Sequence, residues 1–219
     1  HPKKYIKKSE FNILAGMYEL VHTFREIIKY KQVIKFLLAR MIYNDGLVTI
    51  FAFGGIYAAG TFGFSFEEIM IFGIVLNVTA GIGAFFFGFL DDKLGGKLTI
   101  QITLICLIAA GFMAIFAQSK LFFWIAGIIV GIFSGPNQAA SRSLMGRFTP
   151  RSRENEFYGF FAFSGKMTAF IGPLCLGILT ELFDSQRAGV SIVVVLFVVG
   201  LFLLKSVDEK DGIATTKLF

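Results

Sequence analysis

Charge is scarce in this chain: 16% of its 219 residues are Asp, Glu, Lys or Arg, against about 25% in soluble domains. That shortfall excludes an ordinary water-soluble domain. Proline is sparse too, at four residues. The two histidines, His1 and His22, have no metal-ligand spacing, and neither a phosphate-binding glycine loop nor a nucleophile motif occurs. Catalysis, a metal centre and a cofactor are therefore not expected. The two cysteines, Cys106 and Cys175, fall inside long apolar runs and read as small buried hydrophobes rather than a disulfide.

What is abundant is hydrocarbon. The chain is 55% apolar with a mean hydropathy of +0.72, and its 28 Phe and 24 Gly suit helices that face lipid on one side and pack closely on the other. Six stretches can cross a bilayer core of about 30 Å at about 1.5 Å per residue: Phe36 to Ala58, Ile69 to Phe89, Leu98 to Ala117, Leu121 to Ala140, Phe157 to Leu179 and Ala188 to Leu204. The expected fold is an all-α, integral-membrane six-helix bundle. A net charge of +6 raises the question of nucleic acid, but no basic face is interleaved with stacking aromatics. No nucleic-acid partner is expected.

Topology explains the positive charge better. Of the 21 Lys and Arg residues, 17 fall before the first span, in the second and fourth connections or after the last span. The opposite connections hold Lys120 and Arg187, and the spans hold Arg40 and Lys166. By the positive-inside rule both termini are expected in the cytoplasm. The first 35 residues have a basic start without a short apolar core and cleavage site, so no signal peptide is expected. His1 in place of an initiator Met suggests part of something longer. In the same region Leu14, Met17, Val21, Phe24 and Ile28 recur at helical spacing, an amphipathic helix that either lies on headgroups or serves a regulatory partner.

Between the second and third spans runs Gly88-Phe89-Leu90-Asp91-Asp92-Lys93-Leu94-Gly95-Gly96-Lys97. It is a tight turn in which Gly95 and Gly96 permit positive φ, Asp92 suits a helix N-terminus, and Lys93 and Lys97 favour an anionic leaflet. The spacing G-x-x-x-D-K-x-G-G-K resembles the signature loop of the major facilitator superfamily, found between the second and third helices of each six-helix half. Gly96 stands where that loop usually has Arg. The resemblance implies that Asp92 pairs with a neighbouring helix end and with one of Arg147, Arg151 and Arg153, making the loop a conformational switch.

A second resemblance lies in the polar cluster Arg40-Met41-Ile42-Tyr43-Asn44-Asp45-Gly46 within Phe36 to Gly46, in Ser141 to Pro150 and in Phe163-Ser164-Gly165-Lys166. With these the chain looks like part of the vacuole effluxer-like group of major facilitators, whose fungal members are autophagy-related vacuolar amino-acid exporters. It covers nearly all of residues 11 to 205. Family members have twelve spans, so the resemblance implies the C-terminal half of such a fold, two three-helix repeats with a missing N-terminal half as partner. Residues 1–35 would be a cytoplasmic linker helix, 36–204 the bundle and 205–219 a cytoplasmic tail. The membrane would be a bacterial inner or plasma membrane, or the vacuolar membrane if the owner is fungal.

Ionisable groups inside a bilayer cost a few kcal/mol each and usually face a cavity or a partner. Asp45 lies about 14 Å in from Phe36, Lys166 about 14 Å in from Phe157, and Arg40 about 6 Å in. An Asp45 to Lys166 pair is therefore expected, either as a pin between helices or, with Arg40, Asn44 and Asn77, as a path for a small-molecule substrate or a coupling proton. Arg40 also has the option of reaching the headgroups. Gly127, Gly131 and Gly135 recur every four residues before Pro136 and mark a close helix contact or a hinge. The leading reading is a secondary transporter of a small solute working by alternating access. A non-transporting scaffold or receptor, and a six-span carrier acting as a homodimer, remain as alternatives.

Overall fold

A computed structural model describes residues 30–217. The amphipathic pattern from Leu14 to Ile28 lies outside the described residues. Six helical runs are long and apolar enough to cross a membrane. They are α1 (Lys31–Phe62), α2 (Phe66–Leu94), α3 (Gly96–Phe116), α4 (Lys120–Arg147), a run formed by α5 (Glu154–Met167) and α6 (Ile171–Leu182), and α7 (Gln186–Lys205). A 3₁₀ turn at Arg151–Arg153 precedes α5, and a further helix, α8 (Glu209–Lys217), follows the last span. The expected six-helix bundle is thus the observed one.

Local chemistry explains where the helices start and stop. Ser65 and Glu68 form a reciprocal capping box at the start of α2, satisfying two orphan N–H groups. Ser119 accepts from Phe122 N–H to cap α4. Gly63, with φ 65°, ends α1, and Gly95, with φ 90°, makes the reversal between α2 and α3, both left-handed conformations that L side chains resist.

The fifth span was expected to be continuous from Phe157 to Leu179, and it is not. Turn residues 168–170 separate α5 from α6. Pro173 supplies the reason: its ring lacks an N–H and would collide with the carbonyl four residues back in an unbroken helix, whereas in the first turn of a new helix it is tolerated.

Packing follows a repeated pattern. The first helix of each trio lies against the last helix of the other, α1 on α7 and α4 on α3, while α2 lies on α4 and α5 on α1. At the α2–α4 contact the Gly127, Gly131, Gly135 stripe faces α2, where Phe72, Thr79 and the Ala80 carbonyl fill the space a Cβ would need. Pro136 leaves the Ile132 carbonyl without its usual i+4 donor, and Gly83 of α2 lies against that same carbonyl. One end of the bundle carries the starts of α1, α3 and α5 and the ends of α2, α4 and α7, together with α8; it is called the basic end below.

This contact yields a paired test. At Gly83 an added methyl meets backbone of α4, whereas Gly81 has nothing within 4 Å. Gly83→Ala should therefore destabilise the detergent-solubilised protein by about 1–3 kcal/mol. Gly81→Ala should be neutral or stabilising by up to about 1 kcal/mol. Thermal unfolding monitored by size-exclusion recovery checks the pair, and equal melting curves would contradict this packing.

Candidate functional site

Three polar groupings interrupt the apolar bundle. At the basic end, the carboxylate of Asp91 accepts from Arg147 Nη2 at 3.1 Å, and the Asp91 carbonyl accepts from the same nitrogen at 3.2 Å. Arg147 Nη1 donates to Glu209 Oε1 of α8 at 3.1 Å. Glu209 in turn accepts from the N–H groups of Gly96 at 3.1 Å and Lys97 at 3.0 Å, so one carboxylate caps α3 where the helix dipole favours negative charge. Lys97 Nζ donates to the carbonyls of Lys205 and Val207, closing the other side of the cluster. The Asp208 carboxyl is held below its ordinary value, first by the Asp211 N–H it accepts at the start of α8.

This corrects the expected role of Asp92. Because α2 continues helically to Leu94, residues 91 and 92 differ by about 100° around the axis. Asp91 is buried against α4, and Asp92 is exposed. Lys93 and Arg151 are also exposed, and of the named arginines it is Arg147 that meets the Asp91 carboxylate of α2. Gly88, Asp91, Asp92 and Pro136 line a cavity of 340 Å³ beside the cluster. Glu209 and Asp91 were missed by sequence reasoning. The available signal was Asp208, Glu209 and Asp211, an acidic run placed directly after Lys205 among basic segments.

The second grouping lies between α1, α4 and α5. Arg40 Nη1 donates to the Phe161 carbonyl at 2.8 Å and to Ser164 Oγ at 3.1 Å, and its guanidinium lies 3.6 Å from the Phe161 ring centroid. Asn44 donates to the Gly165 carbonyl at 2.9 Å. Behind them Tyr43 and Ser141 share a 2.8 Å hydroxyl contact, and Asn137 donates to Thr103 at 2.9 Å. Arg40, Asn44, Gln138 and Arg142 line one small cleft of 20 Å³; Gln138 and Arg142 are exposed.

The third grouping replaces the expected Asp45 to Lys166 pair, which does not form. The expectation came from depth along the two helices, and depth says nothing about direction: Lys166 sits on the last turn of α5 and is exposed. Asp45, 1% exposed, accepts from the Gly172 N–H in the first turn of α6 at 2.8 Å. Only glycine fits there, since a Cβ at 172 would strike Thr49 Oγ1. Asn77 is exposed on α2 and donates to the Gly73 carbonyl of its own helix at 2.8 Å, so it joins none of these groupings.

Comparison with known proteins bears on this arrangement. A family model described as "Vacuole effluxer Atg22 like" matches residues 1–217. The chain belongs to that family. An MFS-type transporter of Bacillus subtilis, YxiO, is 29% identical over 212 residues, covering 97% of this chain and 49% of the relative. Autophagy-related protein 22 of Vanderwaltozyma polyspora is 26% identical, covering 96% and 42%, and that of Saccharomyces cerevisiae strain S288c is 25% identical, covering 90% and 39%. The chain thus spans half or less of the curated relatives it matches. Membership of this effluxer family, with six membrane-length helices, makes it a multi-pass membrane protein of a transporter group.

The Arg147 cluster makes a sharp prediction. Arg147→Ala leaves Asp91, already with Oδ1 unpartnered, without its cation and should cost about 3 kcal/mol or more. Glu209→Gln keeps one acceptor oxygen, leaves one α3 N–H facing an amide donor, and should cost about 1–2 kcal/mol. Melting temperatures of the purified full-length variants decide; an Arg147→Ala protein as stable as the parent would remove the cluster's structural role.

Proposed function

We propose that the chain is the second six-span half of a secondary transporter that moves a small solute by alternating access, with the preceding half and the bilayer as its partners. The observation that carries this reading is the pair of guanidinium groups, Arg40 and Arg142, lining one polar cleft with Asn44 and Gln138 in an otherwise apolar bundle. Arg40 spends Nη1 on α5 and retains other N–H groups of its fork for a ligand. Two guanidinium groups suit a carboxylate, the charge-assisted and often bidentate contact such groups make best. The neighbouring amide oxygens of Asn44 and Gln138 suit an ammonium. Amino acids, the substrate class implied by the resemblance to vacuolar exporters, carry both groups.

On this reading the basic end faces the cytoplasm, following the positive-inside rule. The Gly88 to Lys97 loop then acts as the switch through Asp91, Arg147 and Glu209, with Gly135-Pro136 as the bend that lets α4 follow. The membrane is the plasma membrane in a bacterial owner and the vacuolar membrane in a fungal one.

The test is counterflow of labelled amino acids into proteoliposomes holding the full-length protein. At least one amino acid should exchange, and Arg142→Gln should raise its KM about 10-fold or more, as expected for losing a charged hydrogen bond of about 1.5–3 kcal/mol. No exchange of any amino acid, or an unmoved KM at equal protein level, overturns the proposal.

A further inference from the structure

Asp45 is a carboxylate with 1% exposure inside a membrane-length helix, and Oδ1 has no hydrogen-bond partner among the described residues. Charge without a counter-charge is expensive in such a place, and none of the three ion pairs described, Lys120–Glu68, Arg147–Asp91 and Arg147–Glu209, involves it. The groups that could compensate it face elsewhere. On its own helix Arg40 bonds α5 and Tyr43 bonds Ser141. On α5 Lys166 is exposed, on α4 Arg142 is exposed, and on α6 the titratable groups are the half-buried thiol of Cys175 and, near the far end of the helix, the exposed Glu181. Between Arg187 and Lys205, α7 has no ionisable side chain, and the acids of α2 lie towards its two ends, Glu67 and Glu68 in the first turn, Asp91 and Asp92 near the last.

What Asp45 does touch is a joint. Oδ2 accepts from Gly172 N–H in the first turn of α6, immediately after the break at residues 168–170. The near side of that break is fixed to α1 independently, since Thr168 Oγ1 donates to the Met41 carbonyl at 2.9 Å. Among the described residues the Gly172 bond is the polar tie from α6 to another span; Thr180 Oγ1, the hydroxyl of α6, is buried without a partner.

We propose that Asp45 takes up and releases one proton per transport cycle, and that its charge decides whether the start of α6 is held against α1. When ionised, the carboxylate attracts the N–H groups and positive dipole of α6. A proton from the water on one side adds to Oδ1, leaving Oδ2 as the weaker carbonyl acceptor of a neutral acid, and the joint loosens. The same proton leaves to the other side when the site reopens there. This deepens the transport reading and rests on it.

The experiment measures protons moved per solute in proteoliposomes of the full-length protein, with pyranine inside and a labelled amino acid gradient. About one proton per solute is expected for the parent, falling to near zero for Asp45→Asn at whatever rate solute still moves. If Asp45→Asn moves no solute, thiol labelling decides: in a Cys106→Ala, Cys175→Ala background, Phe170→Cys, an exposed position in the break, should label several-fold faster at low than at high pH, and Asp45→Asn should abolish that dependence. Solute movement without protons in the parent, unchanged stoichiometry in Asp45→Asn, or pH-independent labelling overturns the proton site alone. Absence of any solute exchange overturns the transport reading instead.

Discussion

A helix in hydrocarbon gains little by trading lipid tails for a neighbour's Leu or Phe, so cohesion depends on how closely backbones approach and on polar groups that have nowhere else to bond. That constraint organises this bundle. Gly83 against the Ile132 carbonyl, Gly135 against the Ala80 carbonyl and Gly172 against Thr49 are places where the absence of a side chain lets two helices meet. Pro136 frees the Ile132 carbonyl, which Gly83 of the neighbouring span lies against, and beside Pro173 the N–H of Gly172 is taken by Asp45 of α1. The many large apolar side chains left exposed on α2, such as Phe85, Phe86 and Phe89, are compatible with hydrocarbon and give the helix no reason to bury them.

Polar bonding is concentrated where those approaches leave work to do. The basic end is joined through Arg147, which stands between a buried α2 carboxylate and a second one brought by α8. Nearby, Gln32 at the start of α1 donates to Asp211 and accepts from Asp208 N–H, so the first and last described elements meet there too. The middle of the bundle is different: within two turns of α1, Arg40 and Asn44 bond α5 and Asp45 bonds α6, on opposite sides of the break. A polar cleft and a jointed helix therefore share a single supporting span.

Periodicity and hydropathy in the sequence located all six spans, because length and apolar content alone decide whether a helix can cross a bilayer. The reversal at Gly95 and the packing face of the Gly127 stripe were legible for a similar reason, glycine at fixed spacing having few uses in lipid, whereas residues 88–94, read as part of a turn, are helical. Azimuth was not legible. Asp92 was favoured over Asp91, and Lys166 over the Gly172 N–H, because a count of residues gives depth and leaves rotation about the helix axis open until the packing is known. The break before Gly172-Pro173 carried a signal that was overlooked amid 23 residues of otherwise suitable apolar sequence. Glu209 could not be found by such counting at all, since its partners come from two distant segments, the start of α3 and the end of α4.

That distance has a consequence for how the molecule is made. Arg147 leaves the ribosome 62 residues before Glu209, a delay of about 3–12 s at ~5–20 residues per second. The α3 N-terminus and the guanidinium thus enter the membrane with their capping carboxylate not yet synthesised. Until α8 arrives, that corner offers bare donors, and the bonds of Glu209 close it only once α8 has been made.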